Sequence, residues 1–336
     1  MPLSFAWSTP GAALLIAAKA TTHNFGAAIG AFIVCGLLIA ITGVWPALTR
    51  AVTRIPTPIA SSMLAGILFP ICLAPIEASV RLPLLALPIV VVWLILFGLA
   101  PRWAVPGALV ATIVVVGISA GTGWLHGGLV APQLTFVSPT FQPLVIVSLG
   151  IPLFLVTMAG QNVPGFAVLR TFGYDHVPAR TILVTSGLLS AATAFFGAHV
   201  NNLAALSAAI MAGPDSHPDR SRRWIATVTG GVTYVVLGLA AGFAASLVSV
   251  TPPLLITTVA GLAMLGALVS AVAASLEDPN NRIVAILTFL VVASGIVIVG
   301  IGSPFWGLLV GGIVMLWLTW HRRRRERAAA ETTQPE

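Results

Sequence analysis

Four residues, His199-Val200-Asn201-Asn202, set an imidazole and two carboxamides inside an apolar stretch, with Phe195-Phe196-Gly197-Ala198 before them and Leu203-Ala204-Ala205-Leu206 after. Polar side chains at membrane depth are costly, so they face a cavity, a partner or a substrate path. The imidazole titrates near neutrality in water, which makes His199 a candidate proton carrier. The competing reading is a neutral ring, hydrogen-bonded to hold a break in a helix. Residues 195–200 read as an extended segment, followed by a half-helix starting at Asn202 with Asn201 or Asn202 as its cap. Many transporters build a site from such a broken element.

A second such start lies at Ser8-Thr9-Pro10-Gly11. Residues 3–7 read as extended, Ser8 or Thr9 as the cap, and Pro10 as the first helical position. The free N–H groups and positive dipole end of such a half-helix suit a carboxylate. Two ends of this kind, one at Ser8, Thr9 and Gly11 and the other at Asn201 and Asn202, can hold an organic anion without an arginine at mid-membrane. Gln161 and Asn162 interrupt an apolar helix just before Pro164-Gly165. They either bind substrate or satisfy a local break in the backbone. Trp7 and Phe154 either stack on an aromatic ring or are lipid-facing and core residues. The carboxylates Glu77, Asp175, Asp215, Asp219, Glu277 and Asp278 all fall at predicted loops or helix ends. Paired carboxylates, metal-ligand spacing and an activated nucleophile are missing at membrane depth, so the reading is not an enzyme and calls for no cofactor or metal.

These residues must be positioned by membrane helices. The chain is 58% hydrophobic and only 7% charged, with 32 Gly and 24 Pro breaking its apolar runs. A soluble domain carries roughly 25% charged residues, and the alternating pattern of an outer-membrane barrel is not seen. The fold class is therefore an all-α polytopic membrane protein. Apolar segments recur at residues 10–20, 25–44, 59–73, 84–99, 105–120, 144–158 continuing through 169, 181–193, 202–211, 224–248, 254–274, 283–299 and 305–320. A crossing needs about 20 residues, so those at 10 and 202 complete theirs only with the extended stretch before them. If these twelve or so segments alternate sides and the basic tail His321-Arg322-Arg323-Arg324-Arg325-Glu326-Arg327 is cytoplasmic, only Lys19 and Arg81 fall outside. That asymmetry obeys the positive-inside rule and argues against nucleic acid as the partner of the +7 charge. Residues 328–336 read as a disordered tail. Lys19 and His23 read as snorkelling to the outer interface.

The two halves repeat. Pro58-Ile59-Ala60-Ser61-Ser62-Met63-Leu64-Ala65-Gly66 matches Pro253-Leu254-Leu255-Ile256-Thr257-Thr258-Val259-Ala260-Gly261 in its Pro and Ala-Gly positions, and Gly107-Ala108-Leu109-Val110 matches Gly307-Leu308-Leu309-Val310. At nearly the same spacing the half-helix at Pro10 pairs with that at Asn202. Paired segments are an odd number of crossings apart, so the copies are inverted, and inverted repeats with paired broken helices point to a secondary transporter.

The chain resembles the benzoate:proton symporter (BenE) family. The likeness runs from Ala6-Trp7-Ser8-Thr9-Pro10-Gly11 to the last helix. It is densest in Pro152-Leu153-Phe154-Leu155-Val156-Thr157-Met158-Ala159-Gly160-Gln161-Asn162-Val163-Pro164-Gly165, and continues through Phe196-Gly197-Ala198-His199, Asn202-Leu203-Ala204-Ala205 and Gly213-Pro214-Asp215-Ser216-His217-Pro218-Asp219. It departs at Asn201, where the family has an aliphatic residue or threonine. The resemblance implies a seven-plus-seven inverted fold like that of nucleobase and anion transporters, in which a core domain moves against a gate domain. Mapped onto this chain, core parts fall at residues 1–55 and 144–250, and gate parts at 56–122 and 251–321. Residues 123–143 form an extracytoplasmic connection and 322–336 the cytoplasmic tail. The first two helices of that fold are expected to be missing. The implied activity is import of benzoate or a related aromatic carboxylate with a proton across the bacterial inner membrane, with a homodimer as the oligomer. A uniporter or anion channel, or a non-transporting remnant or partner of a complete paralogue, are the alternatives.

Overall fold

The computed structural model describes residues 1–8, 11–12, 14–15, 24–53, 56–121, 133–299 and 301–332. The order is strand β1 (Phe5–Trp7), α1 (Phe25–Val44), α2 (Pro46–Thr53), α3 (Thr57–Arg81), α4 (Pro83–Leu99), α5 (Ala104–Ala120), α6 (Pro143–Thr171) and α7 (Ala179–Ala194). Then come β2 (Asn201–Leu203), α8 (Ala205–Ala212), α9 (Trp224–Leu239), α10 (Ala241–Val250), α11 (Pro253–Leu276), α12 (Arg282–Ala293), the hairpin β3 (Val297–Ile298) and β4 (Ile301–Gly302), and α13 (Ser303–Thr332). Among the described residues six helices are long and apolar enough to cross a membrane, and a seventh span results if α9 and α10, bent by 56° at Ala240, are taken together. Helices α4 and α12 are apolar but shorter.

Helix pairs from opposite ends of the chain form the core. Helix α1 lies along α7, where Gly36 and Gly187 bring the two backbones together: a Cβ on Gly187 would sit 2.5 Å from both the Gly36 carbonyl and the Ala40 nitrogen. Close approach through small residues is how membrane helices gain packing energy when lipid is as apolar as the interface. Helix α3 packs on α11 in a related way. Pro75 has no N–H for the Ile71 carbonyl, and Gly261 of α11 lies directly against that freed oxygen. One cluster joins Ile29, Phe32 and Cys35 of α1 with Met63 and Leu68 of α3 and Leu149 and Leu153 of α6; a second gathers Ala86, Ile89 and Trp93 of α4 with Leu255 and Leu262 of α11.

Burial is uneven. In α1 thirteen of 20 residues are buried, whereas α9 and α10 bury none. Most buried hydroxyls need no functional account. Thr42, Ser62, Thr112 and Thr288 each donate to the carbonyl four residues earlier, the ordinary resting place for a hydroxyl on a helix.

Three expectations need correction. The second extended segment is residues 201–203 rather than 195–200, where the chain turns through Gly197 at φ +78°. The half-helix accordingly starts at Ala205, not Asn202. The tail does not leave the helix at Ala328: α13 continues to Thr332, in keeping with the high helix propensity of alanine, arginine and glutamate.

The α1–α7 contact should be intolerant of side-chain volume. Gly187→Val is expected to cost about 1–3 kcal/mol in thermal unfolding of the detergent-solubilised protein. Gly231→Val on α9, where nothing lies within 4 Å of an added Cβ, should unfold within a degree or two of the parent.

Candidate functional site

Strands β1 and β2 pair antiparallel, with Phe5 opposite Leu203, Ala6 opposite Asn202 and Trp7 opposite Asn201. A two-stranded ribbon only three residues long is too small to be stable alone. The outer edge of β2 is answered by side chains of its neighbours, through the Asn201 and Leu203 N–H groups. Ser8 follows β1, is fully buried, and caps the first half-helix: its Oγ accepts from the Gly11 N–H at 3.2 Å and its carbonyl from the Ala12 N–H at 2.8 Å. Its own N–H donates to the Val200 carbonyl at 3.0 Å. Asn202 is also fully buried; with its amide oriented to satisfy both ends, its oxygen accepts from the same Ser8 N–H at 2.9 Å and its nitrogen donates to the Leu203 carbonyl at 3.2 Å. Thr9 lies outside the described residues, as do Lys19 and His23.

Helix α6 holds both broken elements from one short stretch. It widens into π-turns at Ile146–Gly150 and Met158–Asn162, and each is followed two residues later by a proline, Pro152 and Pro164. A proline ring lacks the N–H and crowds the carbonyl four residues back, and the extra residue of a π-turn relieves that crowding. The second π-turn turns its amides towards the ribbon. Asn162 Oδ1 accepts from the Leu203 N–H at 2.9 Å, and Gln161 Oε1 from the Ala205 N–H at 3.1 Å. The Asn162 nitrogen donates to Met158 Sδ at 3.2 Å. Just before the π-turn, the Thr157 hydroxyl meets Ser8 Oγ at 2.7 Å. Residues 157–162 therefore grip the first element through Ser8 and the second through Leu203 and Ala205. From the other side, Ser190 of α7 accepts from the Asn201 N–H at 2.9 Å.

The cap of α8 is Ala204, which has no side chain to offer. Its role is taken from a distance by Gln161. Neither Asn201 nor Asn202 caps the helix, because both belong to the strand.

His199 differs from its neighbours. Both ring nitrogens are buried and neither has a hydrogen-bond partner among the described residues; the Ser8 backbone lies beside the ring. The ring meets Phe32 of α1 edge-on, at 5.0 Å between centroids. Its Nε2 faces the first half-helix so closely that a Cβ on Gly11 would be 2.7 Å away, and Leu153 closes the same spot from α6. A buried polar group is expected to be hydrogen-bonded, so an imidazole with both nitrogens unanswered, beside a helix N-terminus, is the chemically open point of the ribbon.

The remaining candidates scatter. Trp7 turns outward, 69% exposed, and Phe154 is buried in the main core cluster. The residues 213–219 form a loop fixed by Arg223, whose guanidinium donates to the carbonyls of Ala212 (2.7 Å) and His217 (2.9 Å) and so closes the C-terminal end of α8. Asp219 caps the next turn through the Ser221 N–H and hydroxyl, contacts that hold its carboxyl below the usual carboxylate range. Thr157, Ser190 and Phe32 were not singled out from the sequence. Thr157 was legible, since it stands four residues before Gln161 and so shares its helix face.

A bundle of apolar helices built around two interrupted, paired elements with polar groups at their ends is an architecture found in membrane transporters. Residues 1–317 match the family model described as benzoate membrane transport protein, and the chain belongs to that family. It is 38% identical over 315 residues to the inner membrane protein YdcO of Escherichia coli, covering 93% of this chain and 80% of that protein. It is 32% identical over 315 residues to the benzoate membrane transport protein of Acinetobacter baylyi, covering 92% of this chain and 78% of that protein.

Asn162→Ala removes the acceptor of a buried N–H. It is expected to destabilise the protein by about 1–3 kcal/mol in thermal unfolding, and to raise proteolytic cleavage within residues 199–205 more than elsewhere.

Proposed function

We propose that this chain is a secondary active transporter that imports benzoate or a related aromatic carboxylate with a proton, by alternating access around the two half-helix ends. The carrying observation is His199, whose two unpartnered ring nitrogens lie at the Gly11 end of the first half-helix. Family membership and a relative named for benzoate transport support the substrate class.

In this reading the carboxylate sits between the two ends. One is formed by Ser8, Thr9 and Gly11. At the other, Ala208 is the first residue of α8 whose N–H is answered by Ala204, and Gln161 answers Ala205. The N–H groups between those two positions are the donors a carboxylate would meet. Asn201, Asn202, Gln161 and Asn162 act by fixing where those ends point. His199 gives the substrate a hydrogen bond and carries the coupled proton, the one group at this depth that titrates near neutrality in water. The tight contact of Gly11 with His199 and Leu153 fits a closed state of the alternating-access cycle.

The scaffold we infer is the seven-plus-seven inverted repeat, with core and gate parts divided as above and the C-terminus cytoplasmic. Three features support it. The strands that pair come one from each half. Helices α3 and α11, which carry the matching Pro and Ala-Gly positions, pack on each other. Helix α1 is buried by α7, while its proposed counterpart α9–α10 has no equivalent neighbour among the described residues.

Reconstituted in liposomes with acid outside, the chain should accumulate labelled benzoate above the external concentration, and an uncoupler should abolish the accumulation. Uptake that only equilibrates would replace symport by a uniporter or channel. His199→Ala should reduce accumulation at least tenfold while benzoate counterflow continues; equal loss of both would make the ring purely structural.

A further inference from the structure

At the far end of α13 the apolar helix becomes basic over a single turn. Leu316, Trp317 and Trp320 are exposed on its flank, 74%, 57% and 48% respectively. His321 sets its ring edge-on to both indoles, at 4.9 Å from Trp317 and 4.8 Å from Trp320. The Arg324 guanidinium lies 3.9 Å over the Trp320 ring. Arg322 turns the other way and donates to Asn281 Oδ1 at 3.1 Å. Asn281 is itself held by Asp278, whose two carboxylate oxygens are occupied by the Asn280 N–H and the Asn281 amide. Between this turn and the helix lies a cavity of about 380 Å³, walled by Trp317 and Leu318 on its apolar side and by Asn280, His321 and Arg322 on its polar side.

We propose that this cavity is a binding site for an anionic phospholipid, whose phosphate is taken by Arg322 and His321 while its glycerol and acyl roots lie on Trp317 and Leu318. The chemistry of the two walls is that of one amphipathic molecule. Exposed tryptophans next to exposed leucine mark the depth at which an interfacial belt sits. Arginines one turn further meet the headgroup plane, where each basic residue contributes about 1 kcal/mol towards an anionic surface. The cation–π contact with Trp320 keeps Arg324 extended over the belt instead of free in water. A soluble acidic partner would have no use for the apolar wall. The occupied lipid would tie the start of α12 to the end of α13, two elements otherwise joined here by the Arg322–Asn281 bond. This site is independent of the substrate reading, because it lies on the outside of the last two helices.

The test titrates the purified full chain, in a neutral detergent, with phosphatidylglycerol, phosphatidylcholine or soluble glycerol phosphate, reading thermal unfolding and, by native mass spectrometry, bound lipid. Phosphatidylglycerol should raise the unfolding temperature and be retained, and the other two should not. Arg322→Gln and Arg324→Gln should each weaken its apparent affinity about fivefold; Arg324 lies over the Trp320 ring and, among the described residues, has no bond to the 278–281 turn, so its variant tests the site without disturbing that turn. Arg102→Gln, remote in sequence and also exposed, should leave the affinity unchanged. Equal stabilisation by phosphatidylcholine, reproduction of the shift by glycerol phosphate, or equal weakening by Arg102→Gln would overturn the proposal.

Discussion

Inside a bilayer every backbone N–H and C=O must find its partner within the protein, and the interrupted elements here break that rule twice in one place. The structure meets the cost with side chains from α6. Leaving the Leu203 or Ala205 N–H unanswered at this depth would cost roughly what a buried unsatisfied donor costs, about 1–3 kcal/mol each. Gln161 and Asn162 cancel both; at the first element Ser8 Oγ answers the Gly11 N–H while it meets the Thr157 hydroxyl. The remaining geometry follows from that clamp: if α6 moves, both half-helix ends move with it.

The clamp is rigid for reasons that lie outside it. Pro152 and Pro164 force the π-turns that aim the amides. Gly36 and Gly187 let α1 and α7 close on each other, which brings Phe32 against His199 and Ser190 under Asn201. The contrast with α9–α10 is physical. The helix pair α9–α10 has no buried residue and bends by 56° at Ala240.

Much of this was legible in the residues. The span at 25–44 is α1 to the residue, and the prolines and glycines marked most helix ends. The strand at residues 5–7 fell within the expected extended stretch. The second half-helix was not readable in the same way. Two asparagines before an apolar run look like a cap, because the usual cap is local. Here the acceptor for Ala205 comes from Gln161, 44 residues away, and a cap supplied across the fold leaves no trace in neighbouring residues. The bend at Ala240 was equally hidden, since residues 224–248 read as one apolar segment with no proline in it.

The same accounting separates the polar residues of the ribbon into two kinds. Gln161, Asn162, Ser190 and Asn202 give their oxygens to backbone N–H groups. His199 spends neither nitrogen. A ring kept only for structure would be expected to hold at least one backbone group, as Ser8, Gln161, Asn162 and Ser190 do, and a phenylalanine would fill its place against Phe32 without the cost of two buried unpaired nitrogens. In the transport cycle proposed above, the ring would meet a polar partner in a second conformation in which the Gly11 contact is open. Gly11 permits the close approach: without a Cβ it lets the half-helix lie directly against the His199 ring and the Leu153 side chain.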